Sequence, residues 1–336
     1  MNKENLKKIA NQMVIKGKGI LAADESTPTC TKRFETIGIE STFLSRNEYR
    51  DMLFTTPKLE NYISGIIMFD ETIRQKTIIN GTPFPKYLKE KGILTGIKVD
   101  TGAKKLAGTK DEKITEGLDN LRDRLIEYKT LGASFTKWRA VIKINKEELL
   151  PSDTCIEANA HALARYAALC QENDLVPIVE PEVLMEGDHD IEMCLNITKK
   201  ILKKVFEKLN LFNVYLEGIV LKPNMIISGE DHPKNNDAEI VAKKTLECLL
   251  DSVPEKVPGI AFLSGGQSSD TATIHLNLMN KQLKLINKKN WNLTYSFGRA
   301  LQQDSLSIWK EKNIEKCQEK LLIRAKNNSL ASQGLI

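Results

Sequence analysis

Lys222 ends an apolar, strand-like run, Glu217-Gly218-Ile219-Val220-Leu221-Lys222-Pro223-Asn224. Valine and isoleucine suit a pleated, buried strand, and Pro223 cannot donate to a ladder and so ends it. An ammonium at the buried end of a strand is costly unless it is partnered or gives up its proton. Desolvation can bring a lysine from about 10.4 toward roughly 7–8, where enough free amine exists to attack a carbonyl. A lone lysine of this kind is usually a structural ion pair. The neighbouring charges decide between the two readings.

Those charges are regularly spaced. Lys98 and Asp100, Lys137 and Arg139, and Glu180 and Glu182 are each two residues apart, so within a strand each couple shares a face. Schiff-base chemistry needs a nucleophilic lysine, a second cation that lowers its pKa, and a carboxylic group that moves protons. Lys222 fits the nucleophile, and Lys137, two strands away, fits the neighbouring cation. Glu180, on the strand between them, is placed to protonate a carbinolamine hydroxyl as water leaves. Asp24, expected on the far side of the rim, would deprotonate a substrate hydroxyl. In an aldol cleavage that step drives electrons through the carbon–carbon bond into the iminium. Plain charge balance is the competing account of Glu180 and Asp24.

Such a constellation needs strands that end together. Apolar runs recur about every forty residues with helical patterns between them, as an eight-unit βα barrel requires. They are Gly19–Asp24, Ile63–Asp70, Thr95–Asp100, Phe135–Ile142, Val176–Val183, Glu217–Asn224, Gly259–Gly266 and Asn292–Arg299. Their amino ends are apolar, and their carboxyl ends carry the charges, Asp70 included; barrel enzymes keep their catalytic groups at that rim. Leu6, Ile9, Ala10, Met13 and Val14 line one face of an N-terminal helix. Ile197, Ile201, Leu202, Val205 and Leu209 do the same further on. Pro151-Ser152-Asp153 opens a helix that Asn173-Asp174 closes. No Gly/Ser-rich or Pro-rich linker divides the chain, which reads as a single (β/α)8 domain over residues 1–336 with an extra helix at each end.

Two glycine-bearing turns suggest an anion site. Phe262-Leu263-Ser264-Gly265-Gly266-Gln267 follows the seventh run and Ser296-Phe297-Gly298-Arg299 the eighth, where barrels often bind phosphate through backbone amides. Arg299 can add charge-assisted contacts. The four histidines, His161, His189, His232 and His275, lack ligand spacing, so neither a metal nor another cofactor is expected. Asp188-His189-Asp190 reads as a loop or helix cap.

Composition narrows the remaining classes. The 336 residues are 41% hydrophobic and 28% charged, with a formal net charge of +5, enough apolar content for a core and a slight bias toward anionic substrates. No basic block with interleaved aromatics points to nucleic acid. No run approaches the 18 or so apolar residues that span a bilayer. Six separated cysteines and a polar amphipathic start fit reduced thiols and a cytoplasmic location.

Taken together, Leu21-Ala22-Ala23-Asp24-Glu25-Ser26, Gly96-Ile97-Lys98-Val99-Asp100, Lys137-Trp138-Arg139, Val179-Glu180-Pro181-Glu182, Leu221-Lys222-Pro223-Asn224-Met225, Leu263-Ser264-Gly265-Gly266-Gln267 and Ser296-Phe297-Gly298-Arg299-Ala300 resemble the motifs of class I fructose-bisphosphate aldolases. The likeness runs in order from about Gly17 to Ser332. It implies a metal-independent homotetramer that reversibly cleaves fructose 1,6-bisphosphate to dihydroxyacetone phosphate and glyceraldehyde 3-phosphate. It implies that Lys222 forms the Schiff base at C2, that Glu180 serves carbinolamine formation and dehydration, and that Asp24 takes the C4 hydroxyl proton. Lys137 and Glu182 would support the charge network. Ser264, Gly265, Gly266, Ser296, Gly298 and Arg299 would hold the C1 phosphate. Ser26, Arg33 and Lys98 would serve the C6 phosphate region, with Arg139 lining the cleft.

Two departures from the family pattern stand out. Family members continue past Asn328-Ser329-Leu330-Ala331 to a flexible tail ending in a tyrosine linked to proton exchange at the enamine carbon, whereas this sequence stops at Gly334-Leu335-Ile336. Either another group is then expected to return that proton, or that step is expected to be slow. Near Ser26 the family carries Gly then Ser where Pro28 and Thr29 stand here, and proline removes an amide donor. Other ketose phosphates, such as fructose 1-phosphate or sedoheptulose 1,7-bisphosphate, stay open as substrates, as does an added binding role for the scaffold.

Overall fold

Eight short parallel strands close on one another in a computed structural model that describes residues 1–233, 237–286 and 291–336. They are β1 (Gly19–Ala23), β2 (Ile63–Met68), β3 (Leu94–Lys98), β4 (Phe135–Ile142), β5 (Val176–Val183), β6 (Val220–Leu221), β7 (Gly259–Phe262) and β8 (Asn292–Phe297). Each pairs with its sequence neighbours, and β8 returns to β1 through Ile20 opposite Ser296 and Leu21 opposite Phe297. Helices separate the strands, so this is a (β/α)8 barrel.

Alternation along each strand sorts the core into two layers. Ile20, Ala22, Ile67, Phe135, Val176, Ile178, Val220 and Ala261 fill the inside of the barrel, joined from below by Leu6, Ala10, Met13 and Val14 of the N-terminal helix segment. Leu21, Ala23, Ile66, Met68, Trp138, Val179, Leu221 and Phe262 face the helices. The inward parity of β1 continues from Ile20 and Ala22 to Asp24. On β4 it continues from Phe135 to Lys137 and Arg139, on β5 from Ile178 to Glu180 and Glu182, and on β6 from Val220 to Lys222. One side of each strand is thus apolar below and ionic above.

Phe135 sets the floor of that ionic layer. A Cβ on Gly96 would sit 2.2 Å from its ring and one on Gly65 2.9 Å, so both neighbours must lack side chains for the ring to fill the barrel.

Several expected boundaries shift. The run 217–224 holds only the two-residue β6, preceded by a 3₁₀ turn at Leu216–Gly218. Pro223 has no N–H for a longer ladder, although the Lys222 N–H still donates to the Val179 carbonyl at 2.8 Å. Asp70 and Arg299 lie in helices, not strands. Asp70 pairs with Arg74 outside the barrel at 2.8 Å and takes no part in the rim. The sequence reading also missed a hairpin, Gly102–Lys105 with Lys113–Glu116, inserted between β3 and β4. Its short, charged strands lack an alternating apolar face. Ser152 does cap the helix Asp153–Glu172, accepting from the Cys155 N–H at 3.1 Å.

Gly96→Ala should destabilise the protein by about 1–3 kcal/mol through overpacking against Phe135. Urea midpoints in a double-mutant cycle with Phe135→Leu should show part of that loss recovered, because the smaller side chain clears the clash.

Candidate active site

All fifteen candidate residues line one cavity of about 710 Å³ at the carboxyl mouth of the barrel: Asp24, Ser26, Arg33, Lys98, Lys137, Arg139, Glu180, Glu182, Lys222, Ser264, Gly265, Gly266, Ser296, Gly298 and Arg299. At its base, Glu180 reaches two ammonium groups at once. One oxygen, Oε1, lies 3.1 Å from Lys222 Nζ, and the other, Oε2, lies 3.1 Å from Lys137 Nζ. Lys137 Nζ also meets Asp24 Oδ2 at 2.8 Å. Asp24 therefore does not stand apart across the rim, as the sequence suggested; it crosses the barrel to pair with Lys137. All four side chains are buried.

Opposite charges hold Asp24, Glu180 and Lys137 in their ionised forms. Burial pushes the Asp24 carboxyl up, but Lys137 and Lys222 outweigh it and keep the group below the ordinary carboxylate range. Burial opposes ionisation of Glu180 in the same way, and Lys137, Lys222 and Arg139 overcome it. Burial would lower Lys137, yet Asp24, Glu180 and Asp100 raise it above the usual lysine value. Among the described residues Lys137 is thus a cation with two carboxylate partners, whereas Lys222 has one. Of the two amines, Lys222 is the less encumbered.

Around this centre the remaining charges are tied in pairs. Arg139 Nε donates to Glu182 Oε2, and Lys98 ion-pairs with Asp100 while donating to its carbonyl at 2.9 Å. On the β7–β8 side, Gly265 and Gly266 have φ of +57° and +85°, a left-handed pair open to glycine. Among the described residues the Ser296 hydroxyl is buried without a hydrogen bond, and Arg299 is exposed and lines the cavity. Together these groups have the chemistry to hold an anion at that end of the cavity.

The whole chain also compares closely with known proteins. The family model described as fructose-bisphosphate aldolase class-I matches residues 5–336. The chain belongs to the class I fructose-bisphosphate aldolase family. It is 54% identical to a probable fructose-bisphosphate aldolase class 1 of Xanthomonas campestris, covering 99% of each. Its identity to cytosolic fructose-bisphosphate aldolase 4 of Arabidopsis thaliana is 52%, over 95% of this chain and 80% of the relative. A solved fructose-bisphosphate aldolase of Plasmodium falciparum, in complex with TRAP and a small-molecule inhibitor, superposes with a TM-score of 0.95 at 46% identity, covering 99% of this chain and 95% of that one.

Sequence reasoning named Thr29 only as a departure from the family pattern and gave no role to Glu25, Lys32 or Gln303, all of which line the cavity. Glu25 is the important omission. It receives Arg33 Nη1, lies 2.6 Å from Arg50 Nη2, and accepts from Gln302 Nε2 at 3.0 Å. Its place beside Asp24 was the only signal. Arg33 is anchored by Glu25, and its Nη2 lies 4.0 Å from where a Cβ on Gly298 would stand, so it approaches both ends of the cavity. Pro28 sits in the first turn of the helix Thr27–Glu35, where its missing N–H breaks no helical bond. Thr29 Oγ1 meets Ser26 Oγ at 3.1 Å.

Away from the mouth, Asp190 caps the helix Ile191–Leu211 by accepting from the Met193 N–H at 2.8 Å, as its motif suggested. Among the described residues no group of three or more His, Cys, Asp or Glu side chains converges as metal ligands, and no helix is long and apolar enough to cross a membrane.

Asp24, held below its unfolded pKa of about 3.9, contributes stability above that pH and loses it as pH falls through the folded value. Lys137, held above its unfolded value, contributes up to about pH 10 and loses its share at higher pH. Asp24→Asn should therefore lower stability at pH 7 by roughly 3 kcal/mol, the scale for removing one partner of a buried pair. The gap to the unsubstituted protein should narrow below about pH 4, as urea midpoints measured from pH 3 to 8 would show.

Proposed function

We propose that the chain cleaves fructose 1,6-bisphosphate reversibly to dihydroxyacetone phosphate and glyceraldehyde 3-phosphate through an iminium at Lys222. The observation that carries this reading is the Glu180 carboxylate held 3.1 Å from both Lys222 and Lys137. Ionised Glu180 takes a proton from the Lys222 ammonium, and the free amine attacks the C2 ketone. Glu180 then returns the proton to the carbinolamine hydroxyl, which leaves as water and forms the iminium. Asp24, itself ionised, accepts the C4 hydroxyl proton. The C3–C4 bond breaks, its electron pair moves into the iminium, and the aldehyde product departs. A proton drawn from water restores C3 of the enamine, Asp24 gives its own proton back to solvent, and hydrolysis releases the ketone and Lys222. Lys137 keeps its charge throughout and stabilises both carboxylates.

Cations at both ends of the cavity favour a doubly phosphorylated substrate. The C1 phosphate is assigned to Ser264, Gly265, Gly266, Ser296, Gly298 and Arg299, and the C6 phosphate to Ser26, Arg33 and Lys98. By kinship we extend the proposal to a cytoplasmic homotetramer.

Borohydride reduction in the presence of dihydroxyacetone phosphate should alkylate the peptide containing Lys222, and Lys222→Ala should abolish both that label and cleavage. Near-normal turnover in this variant would overturn the assignment. Lys137→Ala should cut turnover strongly while leaving some label at Lys222. Glu180→Gln should slow turnover by about 10²–10⁴-fold, the range for a positioned acid–base group.

Because the iminium is the electron sink, EDTA should leave the rate unchanged. Loss of activity on chelation, with recovery on adding zinc, would place the electron sink on a metal instead.

A further inference from the structure

The anion loop after β7 has little behind it. A second cavity of about 530 Å³ lies on its outer side, lined among others by Met185, Gly229, Gly266, Gln267, Ser268 and His275. Met185 lies against Gly266 and Leu263 near Gly265, but the loop has two left-handed glycines and a void at its back, so its peptide planes depend on hydrogen bonds.

Those bonds converge on Gln267. Its backbone N–H donates to the Ser264 carbonyl at 3.1 Å and its side-chain Nε2 donates to the same oxygen at 2.9 Å. Nε2 also approaches Met225 Sδ at 3.5 Å, while Oε1 lies 2.6 Å from His275 Nδ1 on the helix Ser269–Ile286. The Ser264 carbonyl can only accept, so the amide must turn its nitrogen toward it. Oε1 then faces the imidazole, and His275 Nδ1 must carry the hydrogen. Burial keeps the imidazole neutral, with its pKa down to about 4.

In a trans peptide the carbonyl and the following N–H point in opposite directions. Pinning the Ser264 carbonyl toward Gln267 therefore turns the Gly265 N–H the other way. Neither the Gly265 nor the Gly266 N–H is used by the protein among the described residues, and both glycines line the active-site cavity.

We infer that Gln267 and His275 form a positioning pair for the phosphate loop. His275 orients the Gln267 amide, Gln267 fixes the Ser264–Gly265 peptide plane, and that plane presents the Gly265 N–H to a phosphate oxygen of the substrate. The inference rests on the proposed location of the C1 phosphate but assigns no chemical step to either residue. His275→Phe removes the donor while filling similar space. His275→Asn restores an N–H, because Asn Nδ2 stands the same number of bonds from Cα as His Nδ1.

The test measures KM and kcat for fructose 1,6-bisphosphate, inhibition by inorganic phosphate, and borohydride labelling of Lys222 with dihydroxyacetone phosphate. His275→Phe should raise KM and the phosphate inhibition constant about tenfold, the scale of one charge-assisted hydrogen bond, with kcat within about twofold. Labelling should need more ketone phosphate yet reach the same final extent. His275→Asn should stay within about twofold of the unsubstituted protein throughout. If His275→Phe does not fold, Gln267→Met, of similar length but without the amide, should give the same rise in KM. Unchanged KM and phosphate inhibition in the folded variant would overturn the pair, as would an Asn variant no better than Phe, or a fall in kcat at constant KM. Absence of Lys222 labelling in the unsubstituted protein would instead overturn the proposed function. Thermal shift with inorganic phosphate would then still read the loop, and an equal shift in the unsubstituted and Phe proteins would count against the pair.

Discussion

One carboxylate shared between two buried ammonium groups organises this barrel. Glu180 touches Lys222 with one oxygen and Lys137 with the other, and both lysines are buried. Desolvating four charges is expensive, and such a cluster persists only when each charge faces an opposite one with good geometry. The alternation of sign, Asp24 to Lys137 to Glu180 to Lys222, meets that condition. It also leaves Lys222, the last member, with a single carboxylate partner among the described residues.

Strand parity makes the arrangement possible. The same inward face that carries Phe135, Ile178 and Val220 also carries Lys137, Glu180 and Lys222 two residues later. An apolar floor closed by Phe135 and the N-terminal helix keeps water out from below, which strengthens every ion pair above it. Stability and reactivity are stacked in layers along the barrel axis, as βα barrels permit. The two glycines opposite Phe135 belong to this functional logic, because a raised ring would displace the ionic layer above.

The two ends of the cavity are built differently. Arg33 is braced by Glu25, itself shared with Arg50 and Gln302, so one end is rigid through charge pairing. The Ser264–Gly266 end has two glycine amides unused among the described residues and a hydrogen-bonded glutamine, with a void behind the loop. A rigid end and a hydrogen-bond-held end suit a substrate whose two phosphates must be seated while a carbon–carbon bond between them breaks.

Much of this was legible in residue types and spacing. The (β/α)8 repeat, the inward pairs at positions 98/100, 137/139 and 180/182, the isolated Lys222 and the two glycine turns follow from periodicities of two along strands and from turn chemistry, both local properties. Local rules did not extend to the length of β6, where Pro223 and the preceding turn leave two paired residues, or to the hairpin after β3, whose charged strands carry no alternation. They also placed Asp24 opposite Lys137 when the two are in contact. That contact spans 113 positions of the chain, and its distance depends on how far the barrel's strand number and tilt bring opposite walls together. The Glu25 cluster and the pairing of Gln267 with His275 have the same origin. Sequence alone determined which chemical groups exist and which face of each strand bears them. Closure of the barrel decided which groups meet, because a hydrogen bond or ion pair forms only when tertiary packing brings its partners within about 3 Å.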